Sequence, residues 1–595
     1  MGVVKTIKEW RFELKDNPTP AKIEILEKKE GIKTIRVNGL LYHSQYDPFE
    51  EAKRIIDSAE LDIRRPVIVG GLGLGYHIKE LLRRGFELLV IETNPEIVTT
   101  CINTVELPDN LLLAISRNTN ELLNDETFLK FINKIPQPFL HPIALKLNLE
   151  FYNSFLRDIS TYIFQKNRLN IAVIGPMYGG SLPIAKYLTL ALKKLGHNAF
   201  LIDPECGWSL YNSVKEKIKS GKIVNYLEEF LTRFLSEWCY AQIIEFQPEI
   251  CIALAQAPLN IITVSKLREK NIITAFWFVE NWRHMSYWRD IAPFYDVFFH
   301  IQPGDFDEKL DSIGCKYHKA VLTGCDPDLH KPIKLTPEEE KKYKCDLSFA
   351  GAGYYNRIQI LKGLTDYNLK IWGVNWYDQD LLPHVVEGEK GFDTEEYMKI
   401  VAGSKINLNI HSSVIHEGID PEADAINPRV FEIASAGGFQ LCDPCKGLER
   451  LFDIHEEIPT YTDLKSLREK INYYLEHEDE RKQIAKNARM RALKEHTYQN
   501  RAQEMLEFLI ENFGGKIIRK GIRIRRTIGE IIDIVGKDSI LGQWLISLPQ
   551  DIPFTQHHIN TYLNTLGPES AFPEKIFWLM NEIRVFGEQL LKEKR

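Results

Sequence analysis

The sequence predicts an α/β protein made of several parallel βαβ units, and three observations carry that reading. Short apolar runs rich in Val, Ile and Phe recur between stretches of helical spacing, the pattern of buried parallel strands and their crossover helices. Glycine clusters follow three of those runs, at Gly70–Gly75, Gly175–Gly180 and Gly351–Gly353, where a chain turns from strand into helix. The length of 595 residues, 44% of them hydrophobic and 26% charged, suffices for about four domains at roughly 150 residues each.

Residues 1–60 combine alternating stretches (AKIEILEK, IKTIRVNG) with the helical EEAKRIIDSAE, the pattern of a small β-rich cap leading into a helix. Residues 61–165 read strand (PVIVGG), glycine turn, helix (YHIKELLRRG) and strand (ELLVIE), a right-handed parallel unit. A second series, 169–335, starts with LNIAVIGP, the helix SLPIAKYLTLALKKLGH and NAFLIDP, and continues through EICIALAQ, NIITAFWFV, YDVFFHIQ and HKAVLTG. The polar, Pro-containing DPDLHKPIKLTPEEEKKYK reads as an interdomain linker. The third series, 336–510, runs through CDLSFAG, LKIWG, KINLNIHS, FEIASAGG and FQLCD. Residues 511–595 read as a helical tail. Its start carries Lys516, Arg519, Lys520, Arg523, Arg525 and Arg526. This stripe is either a solvated helix face or a peripheral contact for an acidic partner or membrane surface.

Composition narrows the function classes. With 75 basic and 82 acidic residues, the net charge of −7 gives no reason to expect a nucleic-acid partner. No run reaches the roughly 18 apolar residues of a membrane helix. The opening MGVVKTIKEWRFELKDNP has no apolar leader segment, and the nine cysteines are few and scattered. A reducing, cytoplasmic setting is expected. Cys442 and Cys445 form a lone CxxC without a second pair at zinc spacing, so they read as incidental thiols. Acidic triplets at Asp305–Asp307, Asp326–Asp328 and Asp378–Asp380 occur about as often as chance allows, and none follows a buried strand in the manner of a metal site.

Three segments carry chemistry. Gly71, Gly73 and Gly75 stand between a strand and a helix, and Glu92 ends the next strand about 20 residues on, where an acid can hold a ribose. A dinucleotide, S-adenosylmethionine and a purely structural turn all fit that spacing. Gly179, Gly180 and Ser181 open a long helix after a buried strand; Ser181 also suits a plain N-cap. The third segment runs from His411 through Asp424, Asn427, Arg429 and Glu432 to Gly437-Gly438. Its acid at a helix start can sit beside a ribose while nearby N–H groups and a cation face a diphosphate. The aromatic run Trp277–His284, with Glu280 and His284, is suited either to a core or to an acceptor groove.

NPRVFEIASAGGFQL resembles the signature of CgeB-like (spore-maturation-protein-like) glycosyltransferases within group 1 of the GT-B enzymes. Ser348–Arg357, with Gly351 and Tyr355, is similar to the opening of that family's donor domain. Arg357 and Lys362 stand like the pair that related retaining enzymes aim at the donor diphosphate. Trp372-Gly373 resembles the strand end that lies against the nucleoside, and Gly179–Ser181 the acceptor-side loop. Asp424 and Glu432 keep the acid-seven-Glu spacing, although the first position is Asp where the family has Glu. GLGLGYH with LLVIETNPEIV looks like a unit of motility-associated flagellin-modification proteins.

The resemblance implies a GT-B pair of Rossmann-like domains facing a cleft, an extra N-terminal Rossmann-like domain and the helical tail. It implies a probe-worthy donor class, nucleotide-sugars with UDP favoured. No cofactor or metal is expected to be required, and the outcome is expected to be retaining. The acceptor is expected to be a flagellin-like protein hydroxyl or a cell-envelope glycan. Glu432 is assigned the ribose, and Arg429, Asn427, Gly437, Gly438, His411 and Asp424 the rest of the donor site. Glu280 or His284 serves as base if the outcome is inverting. Two other readings stay open: an S-adenosylmethionine or nucleotide enzyme centred on Gly71–Glu92, and a non-catalytic GT-B scaffold.

Overall fold

The computed structural model describes residues 3–16, 23–29, 31–388, 390–521, 527–550, 554 and 559. The chain divides into two compact units, one of residues 1–169 with 507–554 and the other of 170–506 with 555–595.

The first unit holds a five-stranded sheet in the spatial order Val4–Thr6, Leu112–Ile115, Leu88–Glu92, Val67–Gly70, Gln137–Leu140. Val4–Thr6 is antiparallel to its neighbour and the rest are parallel. Val67–Gly70 and Leu88–Glu92 are buried along their whole length, as the continuous apolar runs require of central parallel strands. A three-stranded antiparallel sheet, Glu24–Lys29, Ile32–Val37 and Leu40–Leu41, accompanies it. The stretch read as a β-rich cap at 1–60 falls within this unit. Val4–Thr6 extends the main sheet, and Trp10 joins its core while its indole N–H donates to Leu113 O at 2.9 Å. Part of the expected tail also belongs here. Arg65 donates to Ile518 O and Arg519 O, and Arg168 pairs with Glu530 at 3.0 Å. Of the basic stripe, Arg523, Arg525 and Arg526 lie outside the described residues, as does nearly all of the tail beyond Gln550.

The second unit carries two all-parallel sheets. The first lobe has six strands in the order Asn198–Ile202, Asn170–Ile174, Ile250–Leu254, Ile273–Phe278, Val297–His300, His318–Ala320. The second has four, in the order Leu369–Trp372, Cys345–Ala350, Ser404–Asn409, Gln440–Cys442. The expected linker contains the helix Pro337–Tyr343, started by a reciprocal capping box of Thr336 and Glu339. After the helices Leu464–Glu476 and Glu478–Glu495, the chain returns to the first lobe. Cys325 N–H donates to His496 O at 2.9 Å, Tyr498 N–H to Cys325 O at 2.8 Å, and Arg501 Nε to Thr323 O at 3.0 Å. Gly324 permits that crossing, since a Cβ there would lie 2.7 Å from His496 O. Among the described residues, no helix is long and apolar enough to cross a membrane.

Candidate active site

In both lobes, residues that follow the carboxyl ends of strands line one cavity of about 580 Å³. That is where an open parallel sheet leaves room for a ligand, because the loops there diverge. The first lobe contributes Gly179, Gly180 and Tyr187, and the second contributes Gly351, Arg357, Gly373, Tyr397, Arg429 and Glu432. Two glycines let the second lobe's strand ends approach each other. A Cβ on Gly373, whose φ is +128°, would lie 2.2 Å from Gly351 O, and one on Gly351 would lie 2.7 Å from Arg429 Nη1.

Arg357 and Arg429 are held as a pair. Arg357, on the helix Tyr355–Lys362, donates from Nε to Ile410 O and from Nη1 to Ala352 O, both at 3.0 Å. Arg429 donates to Ala350 O at 2.6 Å and shares Ile410 O at 3.1 Å. Both guanidiniums lie over Phe349, at 5.3 and 5.2 Å from its centroid. Their partners are neutral carbonyls, and among the described residues neither guanidinium forms an ion pair. Burial first, and the neighbouring Arg429 charge second, push the Arg357 guanidinium well below its ordinary value. Two adjacent cations, one buried and one part-buried, that form no ion pair among the described residues make a strong anion site.

Glu432 sits one turn beyond Arg429 and is 9% exposed. Burial raises its carboxyl to about 7, against the opposing pull of Arg429. His330 Nε2 stands 3.9 Å from Glu432 Oε1. The Tyr187 hydroxyl bonds Thr394 Oγ1 at 2.6 Å and thereby links the lobes across the cavity. Tyr397 is buried and its hydroxyl has no hydrogen-bond partner among the described residues. Tyr187, Thr394 and Tyr397 escape the sequence reading because each sits in an ordinary amphipathic helix, and only the packing of the two lobes turns them toward one space.

Other expected site residues lie elsewhere, each for a visible reason. Lys362 is at the far end of its helix from Arg357 and pairs with Asp378 and Asp380, both at 3.1 Å. The Tyr355 hydroxyl donates to Glu417, and Trp372 is packed in the core beside Tyr343. Gly437 and Gly438 end the helix Arg429–Ser435 instead of receiving phosphate: their amides return to Ala434 O and Ile433 O. A Cβ on Gly438 would meet Val401 at 2.5 Å. His411 is 3% exposed; its Nδ1 bonds Asp443 at 2.6 Å and its Nε2 accepts the Asn427 amide at 3.3 Å. It thus fixes the start of the Arg429 helix, and the Asn427 side chain goes to Asn409. Asp424 is engaged by Arg283 at 2.7 Å and by Gln302, a bridge from the second lobe to the first. His284 is exposed. Ser181 occupies its N-cap position without a side-chain capping bond. Glu280 is bonded by the Tyr287 hydroxyl at 2.7 Å and by the Gln256 amide, and burial raises its carboxyl.

The acidic triplets are likewise engaged: Asp307 by His300 and His318, Asp326 and Asp328 by Lys194, Asp378 and Asp380 by Lys362. Cys442 and Cys445 are buried, unpaired thiols.

In the first unit, the Gly71–Gly75 turn is filled by the protein itself. A Cβ on Gly73 would lie 2.4 Å from His43 Nε2 and 2.6 Å from the Tyr42 ring, and one on Gly71 would lie 2.5 Å from the Tyr42 hydroxyl. The Leu74 amide, which would face a ligand, donates to His43 Nε2 at 2.9 Å. Glu92 is 2% exposed and accepts the amides of Leu72 at 2.8 Å, Thr93 at 2.8 Å and Asn94 at 3.0 Å. The spacing that suggested a ribose ligand is satisfied internally.

Comparison with known proteins gives three findings. Two curated ribosomal RNA small subunit methyltransferases A, from Clostridium botulinum strains Okra and Kyoto, are each 26% identical over 157 residues, or 25% of this chain. The match spans 57% of those relatives' own length. Among solved structures, sucrose-phosphate synthase from Thermosynechococcus elongatus aligns at 13% identity with a TM-score of 0.40, covering 58% of this chain and 99% of that one. A glycosyltransferase from Rickettsia africae aligns at 14% with 0.41 and coverage of 58% and 99%; Anabaena HepE in complex with UDP and glucose aligns at 10% with 0.40 and coverage of 57% and 99%. Residues 357–507 match the family described as Glycosyl transferase-like. That segment, which is similar to glycosyltransferases, belongs to the second of the two parallel lobes and contains Arg357, Tyr397, Arg429 and Glu432.

Proposed function

We propose that this chain moves a sugar from a nucleotide-sugar, a UDP-sugar being the first donor to test, to a hydroxyl on a flagellin-like protein or a cell-envelope glycan. The observation that carries the reading is the Arg357–Arg429 pair, one buried and one part-buried cation at one cavity wall whose hydrogen-bond partners are carbonyls. A nucleoside diphosphate supplies the missing counter-charge, and the pair stabilises the charge that develops as it leaves. Glu432 accepts the ribose hydroxyls. The acceptor oxygen bonds to the anomeric carbon as the bond from that carbon to the β-phosphate oxygen breaks. The electron pair departs with the diphosphate, and a phosphate oxygen takes the acceptor's proton. On this reading the product retains its anomeric configuration and the paired guanidiniums serve where other transferases use a metal. An inverted product assigns the proton to Glu280 instead.

The finer likeness to CgeB-like and flagellin-modifying proteins supports the acceptor class and a cytoplasmic setting. The methyltransferase match favours a second reading, S-adenosylmethionine binding, for which the sequence offers Gly71–Glu92. Tyr42, His43 and the engaged Glu92 argue against it, because they occupy the space and the amides that such a ligand needs.

The test is donor hydrolysis and transfer by the wild type, Arg429→Ala and Glu432→Ala with a panel of UDP-, GDP- and CMP-sugars. Turnover in the wild type and its loss in both variants is the expected result. Undiminished turnover in either variant removes that residue from the site, and absence of donor binding by the wild type refutes the function.

A further inference from the structure

Beside the donor cavity, the first lobe carries a polar and aromatic surface that the donor reading leaves unused. Gln256 follows the strand Ile250–Leu254 and holds a left-handed φ of +65°, a conformation that is strained for a non-glycine residue. Its side chain is fixed at one end: Nε2 donates to Glu280 Oε1, whose other oxygen accepts the Tyr287 hydroxyl. The carboxylate would repel an amide oxygen, so this orientation is dictated by charge. The opposite end, Oε1, is buried and has no hydrogen-bond partner among the described residues. It lies 3.1 Å from where a Cβ of Gly179 would stand, and Gly179 and Gly180 line the cavity. Around Gly180 nothing comes within 4 Å of such a Cβ. An acceptor atom desolvated without a partner is unfavourable, and the nearest glycine of the cavity lining, Gly179, offers it no side chain.

Next to it, Tyr178 stacks on Trp208 with centroids 4.1 Å apart and planes at 23°, while Tyr178 stays 37% exposed. Burial first, and the Glu280 charge second, raise the Tyr178 hydroxyl. An aromatic platform, a free amide oxygen and a carboxylate on one rim match one kind of molecule. A sugar ring has an apolar C–H face and an edge of hydroxyls. A Ser or Thr in an extended peptide offers a single hydroxyl and a backbone that needs its own partners.

Building on the glycosyltransferase reading, we infer that Tyr178, Trp208, Gln256 and Glu280 form an acceptor subsite for a saccharide: the sugar face rests on Tyr178, and a ring hydroxyl donates to Gln256 Oε1. The chain then extends a glycan instead of placing the first sugar on a protein.

The experiment supplies the full-length protein with the donor it hydrolyses and offers, separately, a panel of 4-nitrophenyl hexosides and hexosaminides and a panel of Ser/Thr peptides. Three variants accompany the wild type: Trp208→Ala, Trp208→Phe, and Gln256→Asn, which keeps a residue tolerant of positive φ but withdraws the amide oxygen. The expected result is transfer to at least one glycoside. Trp208→Ala and Gln256→Asn should reduce it about tenfold or more through a raised acceptor KM. Trp208→Phe should recover most of it, and donor hydrolysis to water should stay within about twofold in all three. Transfer to peptides alone, or glycoside transfer indifferent to both substitutions, overturns the saccharide subsite and leaves the transferase reading standing. No donor binding or hydrolysis by the wild type overturns both.

Discussion

Glu432→Gln separates what the buried carboxyl does for binding from what it costs in folding. The group titrates near 4.5 when solvated and near 7 in the folded protein, chiefly through burial. The folded state therefore holds the proton more tightly than the unfolded chain. The contribution to stability is greatest at low pH, falls as pH rises from about 4.5 to about 7, and then levels off. Linkage makes the full penalty about 3 kcal/mol, of which about 2.5 kcal/mol develops between pH 5 and pH 8. Glutamine keeps the shape without the charge, so the variant should gain about 2.5 kcal/mol on the wild type over that interval. The assay is urea unfolding of both proteins at pH 5 and pH 8, following the transition of the 170–506 unit. On the proposed ribose assignment the same variant should lose donor turnover, because an amide cannot replace a carboxylate that accepts two ribose hydroxyls. A stability difference that does not change with pH would refute the buried-carboxyl argument. Wild-type turnover in the variant would refute the ribose assignment.

Other consequences follow from the same geometry. Arg429→Ala should weaken binding of the free nucleoside diphosphate by about tenfold or more, measured by calorimetry, while Arg429→Lys recovers part of it, because lysine keeps the charge but not the fork that grips two carbonyls. Lys362→Ala should change turnover by less than about threefold, since its ammonium is engaged by Asp378 and Asp380 away from the cavity; a loss like that of Arg429→Ala would restore it to the diphosphate site. Glu92→Gln should destabilise the first unit by about 1–3 kcal/mol, because the amide's N–H₂ cannot accept from the backbone donors Glu92 now satisfies. Equilibrium dialysis should find no S-adenosylmethionine bound to the wild type, and saturable binding abolished by Glu92→Ala would reverse that conclusion. Asp424→Ala should raise the donor or acceptor KM severalfold with a smaller change in kcat, because it cuts the Arg283 bridge between the lobes without touching the Arg357–Arg429 pair.

The chain order of strands and helices was legible from residues alone, since a central parallel strand must be continuously apolar and its turn must admit close backbone approach. Arg357 and Glu432 were legible for a related reason: a cation and an acid at helix starts after strand ends stand where such a sheet opens. Lys362 pairs with Asp378 and Asp380 away from Arg357 because five residues along a helix rotate a side chain well away from its partner's face. Gly437-Gly438 and Gly71–Gly75 show the limit of reading glycine. Sequence announces that the backbone needs freedom, and only packing says whether a ligand or the protein's own side chain uses the space.

That limit is sharpest at Glu92 and Glu432. Both are acids beside a strand end or helix start, and the local sequence of each suits a ribose. Glu92 finds three amides of its own loop and two aromatic neighbours over the turn, whereas Glu432 opens on a cavity shared with Arg429. The sequence by itself determined the α/β class, the order of the units and the candidate charges, because those depend on period, propensity and turn chemistry. Which charges remain without a counter-ion depends on residues far apart in the chain, and the tertiary structure decided it.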